Sequence, residues 1–291
     1  MPLKGLLLAS AALLAAAVPG KAATVAGCPL FPPSNAWNRD VSALPVAPES
    51  DRLVAAIGLD AGLHPDFSSQ GRYGIPINVV TRRTPRRAVR FTYASESDRV
   101  RYPIPARPRV EGGSDRHLLL VDRDACRLYE LFDARRQAGS WSAGSGATWS
   151  LRSNRLRPDG WTSADAAGLP ILPGLARYEE VRSGRIDHAL RFTAPQTASA
   201  HIAPARHDAG GGEPGLPPMG LRVRLKASVS LDGFGPQARV VLTALKRYGM
   251  ILADNGSPWY VTGAPSSGWN DDDLHALGRI TGADFEVVRA G

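Results

Sequence analysis

GLRVRLKA, residues 220–227, changes character at every step: Arg222, Arg224 and Lys226 fall on one side, Leu221, Val223 and Leu225 on the other. Successive side chains of an extended chain point to opposite faces, so the run reads as a β-strand with one cationic and one apolar face. Outward from it lie other short runs rich in aliphatic, β-branched and aromatic residues, at 73–80, 88–93, 117–122, 126–132, 147–151, 188–193 and 200–203. Breakers separate them, because the 24 prolines and 30 glycines are spread through the chain rather than pooled in a linker. Many short strands at this spacing predict a mainly β fold, a jelly-roll-like sandwich. Parallel βαβ units would need a helical period between the runs, and that period is mostly missing.

One or two helices should pack against the strands. PQARVVLTALKRYGM, residues 236–250, opens on a proline suited to a first helical turn and places Val241, Leu245 and Tyr248 on one stripe, and Gly249 ends it. A shorter helix is expected at 271–277, where three aspartates favour the amino end of the helix dipole, and another at 50–57. No repeat, low-complexity tract or domain boundary interrupts residues 27–291, so they read as a single domain.

Residues 1–26 read as an export signal. Lys4 precedes an apolar run from Gly5 to Val18, which Pro19-Gly20 breaks. Such a run matches the roughly 7–15-residue core of a signal peptide, whereas a spanning helix needs about 20. Small residues at Gly20 and Ala22 suit cleavage after Ala22, with a cut after Ala26 as the alternative. The domain is therefore expected to be secreted or periplasmic. Its two cysteines, Cys28 and Cys126, would pair in an oxidising compartment. Residues 25–28, VAGC, also match a lipoprotein box, and acylation of Cys28 would tether the protein to a membrane; one sulfur cannot do both. Two cysteines exclude a thiolate zinc cage. The net charge of +8 is almost all arginine, because lysine occurs only at 4, 21, 226 and 246. A basic surface favours an acidic ligand, but no RNP, helix-turn-helix or zinc-finger pattern points to nucleic acid.

The stretches CPLFPPSNAWN (28–38), GLHPDF (62–67), YPIPA (102–106), DRHLLLVDRDACRLYEL (115–131), GWTSADAAGLPILPGL (160–175), IDHALRF (186–192), MGLRVRLKAS (219–228) and ALKRYGMILADNGSPWYVTGAP (244–265) span nearly the whole mature chain. Together they resemble a family of secreted bacterial proteins, mostly hypothetical ones, some loosely labelled ATP- or GTP-binding. The resemblance implies secretion and no particular activity. The nucleotide label has no support in the residues: there is neither a GxxxxGK[ST] loop nor a GxGxxG opening a helix after a strand. No nucleotide and no cofactor is expected.

Several residues have the chemistry for a site. Asp115 and His117 project to one face of an extended segment, where a carboxylate can orient an imidazole as a general base. His188 lies among aliphatics in IDHALRF, with Glu179 and Glu180 a short turn upstream. His201 and His207, with His117 and His188, supply imidazoles, but no HExxH or other tight ligand spacing occurs and no metal is expected. WTSADAAGLP, residues 161–170, carries Trp161 and Asp165 in a small-residue tract unlike a strand or helix. Asp254 in DNGSPWY pairs a turn with Trp259 and Tyr260. Acids beside aromatic rings are what sugar sites use, and Trp37, Trp141 and Trp149 are further platforms. Two carboxylates roughly 5–10 Å apart would serve glycoside hydrolysis, from Asp115, Glu130, Glu180 and Asp254. A His117, His188 or Tyr260 base with Lys226 neutralising a uronate would serve a lyase. Without a GxSxG elbow a serine hydrolase is disfavoured. The residues thus point to a secreted enzyme cleaving extracellular polysaccharide, an acidic one included. The alternative is a non-catalytic carbohydrate- or surface-binding protein.

Overall fold

The computed structural model describes residues Ala23–Arg289, so residues 1–22 of the expected export signal lie outside the described residues. Two sheets dominate. The strands that build them are β1 (His64–Asp66), β2 (Ile77–Val80), β3 (Leu118–Asp122), β4 (Arg127–Phe132), β5 (Ser145–Ser150), β6 (Leu190–Ala194), β7 (Arg222–Leu225), β8 (Met250–Asn255), β9 (Tyr260–Thr262) and β10 (Phe285–Val287). The larger sheet has the order β10-β7-β8-β6-β9-β1 and the smaller the order β5-β4-β3-β2. Helices α1 (Ser50–Ile57), α2 (Tyr178–Arg182), α3 (Pro236–Arg247) and α4 (Asp271–His275) complete the frame. The chain is mainly β with helices packed on it, as the strand spacing and the stripe of α3 predict.

Both sheets are mixed. β6 runs parallel to β8, β9 to β1 and β2 to β3, and the other pairs in these sheets are antiparallel. Parallel neighbours arise without a regular βαβ period because the β6–β8 crossover contains β7 and α3 as well as long loops. Ala238, Val241, Leu242 and Leu245 of α3 are buried, and Gly249 ends the helix with φ 64°. A Cβ on Gly249 would collide with the Val223 carbonyl oxygen, so the turn between α3 and β8 needs glycine for space as well as conformation. The run at 200–203 forms only an isolated bridge between His201 and Met219.

The unbroken apolar stretch Leu118–Val121 is explained by burial on both faces. Leu119 and Val121 enter the main core, while Leu118 and Leu120 enter a smaller one with Tyr102, Tyr129 and Leu131. The cationic face of residues 222–226 is covered rather than open to solvent at its two arginines. Arg222 donates to the carbonyls of Tyr248, Ala36 and Arg39, and Arg224 to those of Val41, Ser42 and Leu44 and to Glu286. Both arginines are buried beneath residues 36–44, whose irregular backbone has carbonyls to satisfy.

Cys28 and Cys126 are joined in a disulfide that ties an amino-terminal hairpin (Thr24–Val25 with Cys28–Pro29) to the start of β4. The sulfur a lipoprotein anchor would use is thus bonded within the domain. Among the described residues no helix is long and apolar enough to cross a membrane.

Candidate functional site

Four adjacent strands of the larger sheet set polar side chains in a row, with Asp254 on β8, Arg191 and Thr193 on β6, Tyr260 and Thr262 on β9, and Asp66 at the end of β1. The register holds the row together: Thr193 is opposite Asp254, Thr262 opposite Asp66, and Tyr260 opposite His64. The loop feeding β3 brings Glu111, Asp115 and His117 over this row. Together they line a cavity of about 140 Å³ at the junction of the two sheets. Asp254 also lines a second hollow of about 390 Å³, whose wall includes Asp165, Glu96, Tyr93 and His207.

Arg191 organises the floor. Its Nε donates to Asp165 Oδ2 (3.0 Å), its Nη1 to Thr262 Oγ1 (2.7 Å) and its Nη2 to Asp254 Oδ2 (3.3 Å). The guanidinium is 4% exposed, Asp165 is wholly buried and the Asp254 side chain is 24% exposed. Burial raises Asp165 to about 7 even though Arg191 opposes it, and the Asp254 charge adds to the rise. Asp254 is raised by the same burial, with Arg191 and His117 offsetting part of it. Asp66 is also raised, first by burial and then by the nearby Glu111 charge.

Glu111 behaves in the opposite sense. Burial alone would raise it, but His117 donates to its Oε2 from both the backbone N–H (3.0 Å) and Nδ1 (2.6 Å), and these contacts hold it below the usual range. His117 is raised in turn: burial lowers it, and the Glu111 hydrogen bond and charge more than compensate. Its Nε2 faces the Ala164 carbonyl at 2.9 Å. An oxygen acceptor at each nitrogen favours the charged ring, which positions Glu111 and offers no free lone pair for a base. One wall of the cavity therefore carries carboxyl groups whose proton affinities are shifted in opposite directions, the pattern that separates acid from base roles.

Of the sequence-selected residues, His117, Asp115, Asp254 and Tyr260 converge on this cavity, and Asp165 reaches it through Arg191. Glu180 and His188 do not. His188 Nε2 lies 3.2 Å from both Glu180 oxygens, Nδ1 lies 2.7 Å from the Ala189 carbonyl, and Arg177 pairs with Glu180, forming a separate buried cluster under α2. Trp259 is core: its ring stacks between Phe192 and Phe285, and its Nε1 donates to the Gly58 carbonyl. Trp37 and Trp141 are buried as well. Lys226 donates to the Ala283 carbonyl, away from the cavity lining. Trp161 lines a different groove. Glu130 is sealed in the interior, accepting from the N–H groups of Ile171 and Leu172, and burial lifts it to about 7. His201 sits between Asp159 and Asp208, and His207 is 3.9 Å from Glu96. No group of three or more His, Cys, Asp or Glu suited to holding a metal ion occurs among the described residues.

Sequence reasoning missed Asp66, Glu111 and Arg191. The signal for Arg191 was available in IDHALRF, since it lies on the strand face opposite His188, and that face is the one turned to the cavity. Glu111 and Asp66 had no such signal, because each acquires its role from a partner distant in the chain.

No protein-family model, no curated protein and no solved structure matches this chain. The functional reading therefore rests on the site itself.

Proposed function

We propose that the protein is an exported glycan hydrolase whose reaction takes place in the cavity between the sheets. The observation that carries this reading is the disposition of Asp254 and Glu111 on one cavity lining, the first anchored by Arg191 and the second by His117. In the hydrolysis, protonated Asp254 gives its proton to the glycosidic oxygen as the bond from that oxygen to the anomeric carbon breaks. A water oxygen forms the new bond to the anomeric carbon and passes its proton to ionised Glu111. One water is consumed per bond, and the two carboxyl groups re-equilibrate with solvent. Tyr260, stacked on His64 with ring centroids 4.1 Å apart, offers an aromatic edge at the cavity.

The same geometry favours hydrolysis over elimination. A lyase needs a base with a free lone pair and a cation for the uronate carboxylate. Here both His117 nitrogens face acceptors and Arg191 is committed to two aspartates. The acidic lining, with ionised Glu111 in it, also disfavours an anionic sugar at the reacting position.

Export is supported by the disulfide, which is compatible with an oxidising extracellular or periplasmic compartment. Signal cleavage after Ala22 would leave the Thr24–Pro29 hairpin whole, whereas a cut after Ala26 would remove its first strand, so the former is the proposed site.

The test is reducing-end release by wild type, Asp254→Asn and Glu111→Gln from a panel of neutral and acidic polysaccharides. Activity on a neutral glycan, with each variant reduced by about 10²-fold or more, is expected. No turnover by wild type on any glycan would leave a binding protein. Unsaturated products would replace hydrolysis by elimination.

A further inference from the structure

A second feature lies outside the acid-lined cavity. A groove of about 800 Å³ runs along β5 and the segments 94–100 and 153–161. It adjoins a hollow of about 320 Å³, and Trp149, Arg155 and Leu156 line both. Six arginines line the combined surface: Arg39, Arg99, Arg127, Arg155, Arg157 and Arg222. Asp98 is the single carboxylate among the lining residues, and it is already committed. Its Oδ2 accepts from the Thr148 N–H at 2.7 Å, the Thr148 hydroxyl at 3.1 Å and Arg157 Nη1 at 3.1 Å.

Two of these arginines are built into the wall. Arg157 is 6% exposed, donates to the Thr162 and Glu96 carbonyls, and lies over the rings of Trp149 (5.9 Å) and Trp161 (5.5 Å). Arg222 is 4% exposed, and the acceptors found for its guanidinium are backbone carbonyls rather than a carboxylate. A buried cation without an opposite charge leaves positive potential at the floor, where a ligand anion would compensate it. Arg99, Arg127 and Arg155 are exposed along the rim.

We propose that this groove binds an anionic polysaccharide, its carboxylates paired with the rim arginines and a sugar face against half-buried Trp161. Arginine forks match carboxylates in two-point geometry, so a uronate repeated along a chain meets them without further devices. A single-stranded nucleic acid is less well matched, since it stacks on several aromatic platforms and here Trp149 is buried, leaving Trp161. The Thr162 N–H to Glu96 Oε2 bond (3.1 Å) and the Arg157 contacts form a ridge between this groove and the hollow that Asp254 lines. Binding here is thus separable from chemistry in the acid-lined cavity.

The experiment is calorimetric titration of the mature protein with polygalacturonate, dextran and a single-stranded DNA oligomer at low and moderate salt. Polygalacturonate should bind and weaken with salt, and dextran should not bind. Arg127→Glu with Arg155→Glu should lower the affinity about tenfold or more. Arg83→Glu with Arg136→Glu, an equal change of charge at exposed positions outside the groove, should lower it far less. Asp254→Asn should bind like wild type, so failure of the hydrolase reading would leave this one standing. If the paired reversal unfolds, Arg155→Gln alone at the exposed rim gives the same comparison. Equal binding of dextran, tighter binding of DNA, equal loss in both charge-reversed variants, or no binding of polygalacturonate would each overturn the proposal.

Discussion

Replacing Arg191 by methionine removes the cation that joins Asp165, Thr262 and Asp254, while keeping most of the side chain's volume. The cost depends on pH in a way set by the carboxyl groups left behind. Asp165 has a folded-state pKa of about 7, above its ordinary value of 3.8, so below neutrality it is protonated in the folded wild type and needs no counter-charge. There Asp165 costs the variant hydrogen bonds only, about 1–2 kcal/mol. Above pH 7 the wild type ionises Asp165 against Arg191, whereas in the variant the same ionisation is more strongly disfavoured. The gap then widens by up to about 1.4 kcal/mol per pH unit for each such group, until the variant's own pKa is reached. At pH 8 and above the loss should approach about 3–5 kcal/mol, the range for a buried ion pair with one partner removed. For a chain of this size that is a fall of about 10 °C in Tm. Calorimetry or urea unfolding at pH 5.5 and 8.5 measures both ends. An equal loss at the two pH values would refute the reasoning, because Asp165 and Asp254 would then not depend on Arg191 for their charge.

The Glu111–His117 pair should contribute most between about pH 4.5 and 6.5, since the lowered Glu111 loses its share as pH falls and the raised His117 loses its share as pH rises. A pH series of Tm for His117→Asn against wild type should show the largest difference inside that window. Reducing the disulfide, or replacing both Cys28 and Cys126 by serine, should cost about 4–5 kcal/mol by the loop-entropy argument, because the bridge closes 98 residues; urea unfolding checks this. His188→Gln should destabilise by about 1–3 kcal/mol through the loss of the Glu180 contact. It should leave glycan turnover unchanged, whereas Glu111→Gln should lower turnover as well as Tm, and paired Tm and activity measurements separate the two.

Local patterns carried much of the fold. Breaker spacing, the stripe of α3 and the strand runs around 118–132 mark their elements directly, because each depends on neighbours within a few residues. The cysteine pair was legible for a similar reason, being two thiols expected in an oxidising compartment. Alternation marked the cationic face of Arg222 and Arg224 but not what covers it, which is residues 36–44, nearly 200 positions away in sequence.

The site divided along the same line. Sequence alone could nominate Asp115, His117, Asp254 and Tyr260, since each stands in a polar or turn-rich setting that advertises chemistry. Only the tertiary structure decided that Asp66, Glu111 and Arg191 belong with them and that His188 and Glu180 do not. The physical reason is that a side chain's role here is set by its partner and its burial. Asp254 is drawn toward protonation by burial between two sheets, and Glu111 is held ionised by an imidazolium. Strand order, register and loop crossing decide both, and no stretch of the chain contains them.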